Sequence, residues 1–139
     1  MATVAIIQRM HQALNAPDTE QLSGLARQLR DRFFEVLVEE SGHVLQTARS
    51  LDDYLTAYET RPDLVICAPF PETGNVAPGF TELKRFQVAF PDIPVIVWSQ
   101  RQEAAIKQSA LEDYGVAHYY TGNLIDSPDD FADLILAHT

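Results

Sequence analysis

The sequence has little cysteine and little lysine, and both shortages exclude functions. Its 139 residues include one cysteine, Cys67, which rules out an internal disulfide and suits a reducing, cytoplasmic setting. The only lysines are Lys84 and Lys107, and the formal net charge at pH 7 is −10. A chain this acidic repels phosphate backbones and anionic lipid, so we expect no nucleic-acid partner and no membrane partner.

Long apolar runs and metal-ligand spacings are missing as well. No apolar run approaches the roughly 20 residues that span a bilayer, and the first residues lack the basic region of a signal peptide. The four histidines show no spacing typical of a metal site, and no glycine-rich phosphate-binding loop occurs. We therefore predict no metal, no cofactor and no catalytic residue.

Two short apolar runs, at residues 62–67 and 93–98, organise the rest of the chain. They are rich in β-branched residues and lack polar alternation, which predicts strands buried on both faces of a sheet. Such strands need helices above and below them. Weaker patterns predict three further strands, at residues 3–7, 43–48 and 116–120.

Helical patterns lie between these strands. Apolar residues recur at spacings of three and four over residues 19–40, which predicts a long amphipathic helix that ends at Ser41-Gly42. Ser50 followed by Asp53 predicts a capped helix to about residue 58. Further helices are predicted at residues 80–90, 102–114 and 127–138. Leu55 and Val88 are among the apolar positions of these helices, and Ala105 is expected to face the core.

Five strands alternating with five helices predict the fold class. Right-handed crossovers between such units give a doubly wound parallel sheet. We predict one α/β domain over residues 1–139, with three layers and a five-stranded parallel sheet. The flavodoxin-like order 2-1-3-4-5 is one of the alternatives within this class, and it is the order that the resemblance described next implies. Ligands of such sheets bind at the carboxyl ends of the strands.

Three segments, at residues 62–66, 91–99 and 115–120, resemble the receiver domain of bacterial response regulators. In that family the third strand reads like PDLVLLD, the fourth like PVIVLTA and the fifth like GADDYLTKP. The likeness covers nearly the whole chain and implies a part in two-component signal transduction. Receivers hold Mg²⁺ with acidic residues after the first strand, and an Asp that ends the third strand accepts the phosphoryl group. A Ser or Thr ends the fourth strand, and a Lys follows the fifth.

The chain departs from the receiver pattern at the metal and cation positions. The acidic pair falls on Gln8 and Arg9, and a guanidinium repels Mg²⁺. The Lys position falls on Gly122, whereas Ser99 matches the hydroxyl position. Phosphoryl transfer needs a metal and a cation to neutralise charge, so the resemblance implies a degenerate receiver, or pseudo-receiver.

The phospho-acceptor position is also substituted. Counted forward from Pro62 it falls on Ala68, and counted back from Pro71 it falls on Cys67. Neither side chain forms the acyl phosphate that a receiver carries. A buried cysteine is typical apolar filler, and Cys67 would be redox-active only if it were exposed beside a cation. Ser99 has a second explanation as well, since a hydroxyl at a strand end often caps a loop.

The resemblance implies a partner-binding surface formed by the helix at 102–114, the fifth strand and the last helix. The residues predicted for it are Gln102, Lys107, Glu112, His118, Tyr119 and Tyr120. A purely structural reading stays open for the last three, as a strand whose aromatic rings pack on the last helix. We expect a non-enzymatic, phosphorylation-independent domain that acts by protein–protein interaction, with a homodimer as one form of that contact.

Two alternatives remain at this stage. The chain has the pattern of a flavodoxin-like small-ligand-binding protein or enzyme that uses loops 8–18 and 69–78. It also has the pattern of a subunit whose long helix at 19–40 packs on a second chain, because Phe34 and Val38 lie off the main apolar stripe.

Overall fold

A computed structural model of the chain describes residues 2–7, 32, 35–48, 50–59, 61–71, 74–99, 101–121 and 128–139. Its strands are β1 (Thr3–Ile7), β2 (Val44–Ala48), β3 (Leu64–Cys67), β4 (Val95–Trp98) and β5 (His118–Tyr120). They pair in parallel in the order β2-β1-β3-β4-β5. The predicted parallel sheet and its strand order are confirmed.

The last two strands begin two residues later than the sequence predicts. Pro94 has no N–H to give to a neighbouring strand, although its carbonyl accepts the Val65 N–H at 3.0 Å. The Val116 N–H is taken by the Ala110 carbonyl at 3.2 Å, at the end of the preceding helix. Cross-strand hydrogen bonding nevertheless begins one residue before each strand, since the Ala117 N–H also donates to the Val95 carbonyl, at 2.8 Å.

The described helices are α1 (Leu51–Ala57), α2 (Ala77–Ala89), α3 (Ala104–Glu112) and α4 (Pro128–His138). A π-helical segment, Glu35–Glu40, precedes β2 and is the described end of the predicted long helix. Gly42, two residues after this segment, has a φ of 73°, as expected of a glycine that stops a helix. Except for Arg32, the rest of the predicted helix at 19–40, including Phe34, lies outside the described residues.

The predicted helix cap is confirmed, whereas three of the predicted apolar helix positions are not buried. The Asp53 N–H donates to Ser50 Oγ at 3.1 Å, so the predicted cap of α1 is confirmed. The prediction that Ala105 faces the core is wrong, since Ala105 is exposed. Leu55 and Val88 are 50% and 72% exposed, because each lies off the buried stripe of its helix.

Alternation along the strands divides the core into two layers. Odd-numbered side chains in β1, β3, β4 and β5 face the layer of α1, α2 and α3, and even-numbered ones face the layer of the π-helical segment and α4. Cys67 and Tyr119 therefore belong to the first layer, whereas Ala68 and Tyr120 pack against the second. This alternation decides which side chains reach the carboxyl ends of the strands.

Candidate functional site at the carboxyl edge of the sheet

The carboxyl ends of β1, β3, β4 and β5 meet at one edge of the sheet, because the strands are parallel. Pairing continues one residue past two of these strands. The Ala68 N–H donates to the Ile7 carbonyl at 3.3 Å, and the Ser99 N–H donates to the Tyr120 carbonyl at 3.0 Å. These bonds fix Ala68 and Ser99 at the carboxyl edge of the sheet, one residue beyond β3 and β4.

The two predicted acceptor positions present a thiol and a methyl group. Cys67 is 0% exposed, and burial in the apolar layer, followed by the negative charge of Glu82, raises the pKa of its thiol. The thiol therefore stays protonated at neutral pH, as the apolar-filler explanation expects. Ala68 is half-buried and packs on the opposite layer. Neither residue offers a carboxylate at this edge.

Ser99 and Tyr119 hold the turn after β4. The Ser99 hydroxyl accepts the Arg101 N–H at 3.1 Å, and the Tyr119 hydroxyl donates to the Arg101 carbonyl at 2.7 Å. The side chains of Ser99 and Tyr119 are almost completely buried. Ser99 therefore caps its own loop. Tyr119, which was predicted on the partner surface, lies in the core instead, and burial raises the pKa of its hydroxyl.

The Arg101 guanidinium ties two loops together across the edge. Its Nη1 donates to the Gly74 carbonyl at 2.7 Å, in the loop that follows β3. Its Nη2 and Nε donate to the Glu103 carboxylate at 3.1 and 3.3 Å, just before α3. These hydrogen bonds lower the pKa of Glu103. All three guanidinium nitrogens are engaged, and the side chain is only 14% exposed. We call the contacts of Arg101 with Ser99, Tyr119, Gly74 and Glu103 the Arg101 latch.

The loop after β3 lies tightly on α2. Phe70 is 4% exposed and meets the Phe80 ring edge-on, with ring centroids 4.9 Å apart. Gly79, in the first turn of α2, makes this approach possible. A Cβ at Gly79 would lie 2.8 Å from the Pro69 carbonyl oxygen and would overlap the Phe70 ring. The described part of loop 69–78 is therefore held by the core and by the Arg101 latch.

The predicted partner surface is only partly at the surface. Four of its residues are exposed: Gln102, Lys107, Glu112 and His118. Tyr120 is half-buried and packs with the layer that contains α4, as its structural reading expects. The exposed residues lie on α3, the turn before it and β5, beside the end of α4.

Several predicted positions lie outside the described residues, namely Gln8, Arg9, Gly122 and loop 8–18. Within the described ranges, no three His, Cys, Asp or Glu side chains converge on a point where they would hold a metal ion. Likewise, none of the helices described is long and apolar enough to cross a membrane.

Sequence reasoning missed Arg101 and Gly79. A single arginine two residues after Ser99 carries no motif, and one of its partners, the Gly74 carbonyl, is a backbone group that is distant in the chain. Gly79 gave no turn signal because it lies inside a helix. The burial of Tyr119 had a usable signal, because alternation along β5 places it on the face opposite its two neighbours.

No protein-family model and no curated protein matches the chain, but solved structures do. The non-phosphorylated HemR receiver domain from Leptospira biflexa is 15% identical, with a TM-score of 0.62 over 99% of this chain and 93% of that one. The chemotaxis protein CheY4 of Vibrio cholerae is 18% identical, with a TM-score of 0.61 over 100% and 99%. The Thermotoga maritima response regulator TrrA, in complex with Mg²⁺ and BeF, is 14% identical, with a TM-score of 0.60 over 100% of both chains.

The chain has the receiver-domain fold. Identities of 14–18% show a likeness of fold, so any account of function has to come from the chain's own side chains. On this receiver fold, Ala68 is the first residue after β3 and Ser99 the first after β4. Cys67 is the last residue of β3 and points into the first layer of the core.

Proposed function

We propose that residues 1–139 form a pseudo-receiver, a non-enzymatic signalling domain that acts by protein–protein contact without being phosphorylated. One observation carries the proposal. Where β3 ends, the chain offers the buried neutral thiol of Cys67 and the methyl group of Ala68 in place of a carboxylate. An acyl phosphate cannot form on either group, whatever loop residues surround them.

The Arg101 latch supports a surface that is fixed rather than switched. A receiver-like switch needs a Ser or Thr hydroxyl and a cation that are free to bind a phosphoryl group. Here the Ser99 hydroxyl accepts a backbone N–H at 3.1 Å and is also hydrogen-bonded to the Tyr119 side chain, and every nitrogen of the Arg101 guanidinium donates to an oxygen. The turn that leads into α3 is therefore held by these internal bonds.

The surface proposed for the partner is the exposed part of α3, β5 and the end of α4. It comprises Gln102, Lys107, Glu112 and His118, with the exposed rim of Tyr120. A second copy of the chain is one partner that this surface admits. Tyr119 no longer belongs to it, and contributes instead by holding the turn before α3 through its bond to the Arg101 carbonyl.

The first test is an amide NMR titration with Mg²⁺ and then with beryllofluoride, a mimic of the phosphoryl group. We expect no shifts at Ala68, Ser99 or Gly122 at millimolar Mg²⁺, because neither Cys67 nor Ala68, where β3 ends, supplies an acceptor carboxylate. A phosphorylatable receiver titrated in parallel is the positive control. Saturable shifts at those three amides would show that a phosphate-responsive pocket survives and would overturn the proposal.

The two lysines supply a matched test of self-association. Lys107 lies on the proposed surface and Lys84 on α2, and both are exposed. If the chain forms a homodimer through α3, β5 and α4, Lys107→Glu changes its sedimentation equilibrium and Lys84→Glu leaves it unaltered. An equal effect of the two substitutions would place the dimer contact elsewhere.

A further inference from the structure

A small part of the proposed surface brings basic groups together in an otherwise acidic protein. His118 on β5 is exposed, and its ring centroid lies 6.0 Å from that of His138 at the end of α4. Lys107 is the third member; it lies on α3, a helix that contacts β5, and its charge lowers the pKa of His118. We call Lys107, His118 and His138 the basic triad.

The groups that surround His118 explain why protonating it is costly in the free protein. The pKa of His118 is lowered by partial burial, then by His138, then by Lys107. Its neighbour on β4 is the apolar Ile96, so that strand supplies no charge. The Asp130 carboxylate, on α4, acts on Tyr120. Burial, and then the negative charge of Asp130, raises the pKa of the Tyr120 hydroxyl.

The acidic residues of α3 have partners of their own. The Gln108 amide donates to Glu112 at 3.2 Å, and the carboxylate of Glu103 accepts from Arg101. Among the residues that the structure describes, no member of the basic triad forms an ion pair with a carboxylate. Within the described ranges, the basic groups of the triad therefore have no carboxylate in an ion pair with them.

The other described cations fall into two groups. Arg85 bridges Asp52 at 2.6 Å and Glu82 at 3.0 Å, and Arg32 bridges Glu35 at 3.1 Å. Lys84, like Lys107, forms no described ion pair, but the described part of the chain places no second basic ring beside it. The triad is therefore distinguished by bringing three basic groups together, on a surface that also carries the exposed carboxylate of Glu112.

We propose that the basic triad is the docking point for an acidic segment of a partner protein, with adjacent Asp or Glu carboxylates lying over Lys107, His118 and His138. The inference rests on the proposed function, because it names the chemistry of the partner for the same surface. Charge complementarity is its basis: on a chain with a net charge of −10, an acidic segment is attracted where basic groups are brought together, as they are in the triad.

Docking of carboxylates makes the interaction pH-dependent in a defined direction. A nearby carboxylate favours the protonated imidazole, so the pKa of His118 rises when the segment binds. Binding then takes up protons, and affinity is fully present below the pKa of the free histidine and lost as pH rises through the pKa of the bound one. Each unit of pKa difference corresponds to a factor of about ten in affinity.

The test uses a synthetic hexaglutamate peptide as the probe, titrated into the ¹⁵N-labelled full chain at low salt. We expect amide shifts centred on Lys107, His118 and His138, and binding on the order of tenfold tighter at about pH 5.5 than at about pH 8. The double variant with His118→Gln and His138→Gln should lose this pH dependence. Lys107→Gln should weaken binding, and Lys84→Gln, on α2, should not.

The outcomes separate this inference from the proposed function. Shifts centred on Lys84 and Arg85, or binding indifferent to the double histidine variant, would overturn the triad as the docking point. Self-association that masks the triad and is lost with His118→Gln would make a second copy the occupant. A peptide that does not bind while beryllofluoride also causes no shifts overturns only the docking inference. Beryllofluoride shifts at Ala68 and Ser99 overturn the proposed function whether or not the peptide binds.

Discussion

The carboxyl edge of the sheet and the basic triad differ in whether their polar groups have partners inside the chain. At the edge, the Ser99 hydroxyl, the Tyr119 hydroxyl and the Arg101 guanidinium all have partners inside the chain. On the triad, His118 faces another basic ring 6.0 Å away and has no described counterion. Polar groups that are satisfied internally hold a structure in place, whereas hydrated charges without an internal partner remain available to an outside one.

This contrast reverses the expectation attached to a receiver fold. Open sheets of this kind bind ligands at the carboxyl ends of their strands. The described part of that edge is closed by the Arg101 latch, by the packing of Phe70 on Gly79 and by the burial of the Cys67 thiol. Among the described residues, the basic triad lies instead at the side of the sheet, beside β5.

The largest effect is expected from placing a carboxylate at the closed edge. Cys67→Asp buries an unpaired charge at a site with 0% exposure, and it should destabilise the fold by about 3–5 kcal/mol in urea unfolding. Ala68→Asp is the matched control: its side chain is half-buried at the mouth of the edge, and its cost should stay below about 2 kcal/mol. Equal losses would mean that the two positions are equally closed, against the comparison drawn above.

The second effect tests the close approach of the loop to α2. Helix propensity alone would favour Gly79→Ala by about 1 kcal/mol. The new Cβ would lie 2.8 Å from a backbone oxygen and overlap the Phe70 ring, so we expect a net loss of about 1–3 kcal/mol. Amide shifts should spread from Phe70 to Arg101. Lys84→Ala, at an exposed site on the same helix, should leave both the stability and those amides unchanged. A stabilised Gly79→Ala variant would show that the loop moves away at little cost.

The third effect tests the Arg101 latch through its tyrosine. Tyr119→Phe removes the donor to the Arg101 carbonyl, a 2.7 Å bond, and should cost about 1 kcal/mol while speeding amide exchange at Ser99 and Arg101. Tyr58→Phe removes a comparable hydroxyl bond, to the Thr47 carbonyl at 3.3 Å, away from the edge. Faster exchange at Ser99 in both variants would mean that this exchange reports on the whole fold and not on the Tyr119 bond of the Arg101 latch.

The order of the sheet was predictable and the closed edge was not, for a physical reason. Runs of apolar residues and the breaks between them depend on near neighbours in sequence, so five strands in a parallel sheet could be predicted from them, and the order 2-1-3-4-5 followed from the receiver resemblance. The Arg101 latch joins residues 27 positions apart, through the Gly74 carbonyl, which every residue type presents alike. That residues 67 and 68 are Cys and Ala was readable from the sequence, because it concerns which residue is present. The burial of Tyr119 depends on the direction of its ring, which can be predicted only from the alternation of side chains along β5.

The smallest effect compares two histidines, one at each kind of site. His43 is 8% exposed, and its Nδ1 accepts the Ala2 N–H at 3.3 Å, which requires a neutral ring. Burial lowers the pKa of His43 in the folded protein. The unfolded chain therefore binds more protons as the solution is acidified, and the stability that the neutral ring contributes is lost as pH falls through the folded-state pKa.

We expect His43→Gln to flatten the acid side of a plot of unfolding free energy against pH. His118→Gln should flatten it less, because the exposed ring of His118 keeps more of its hydration when charged. If the two substitutions flatten the curve equally, the buried and exposed histidines do not differ as the comparison requires.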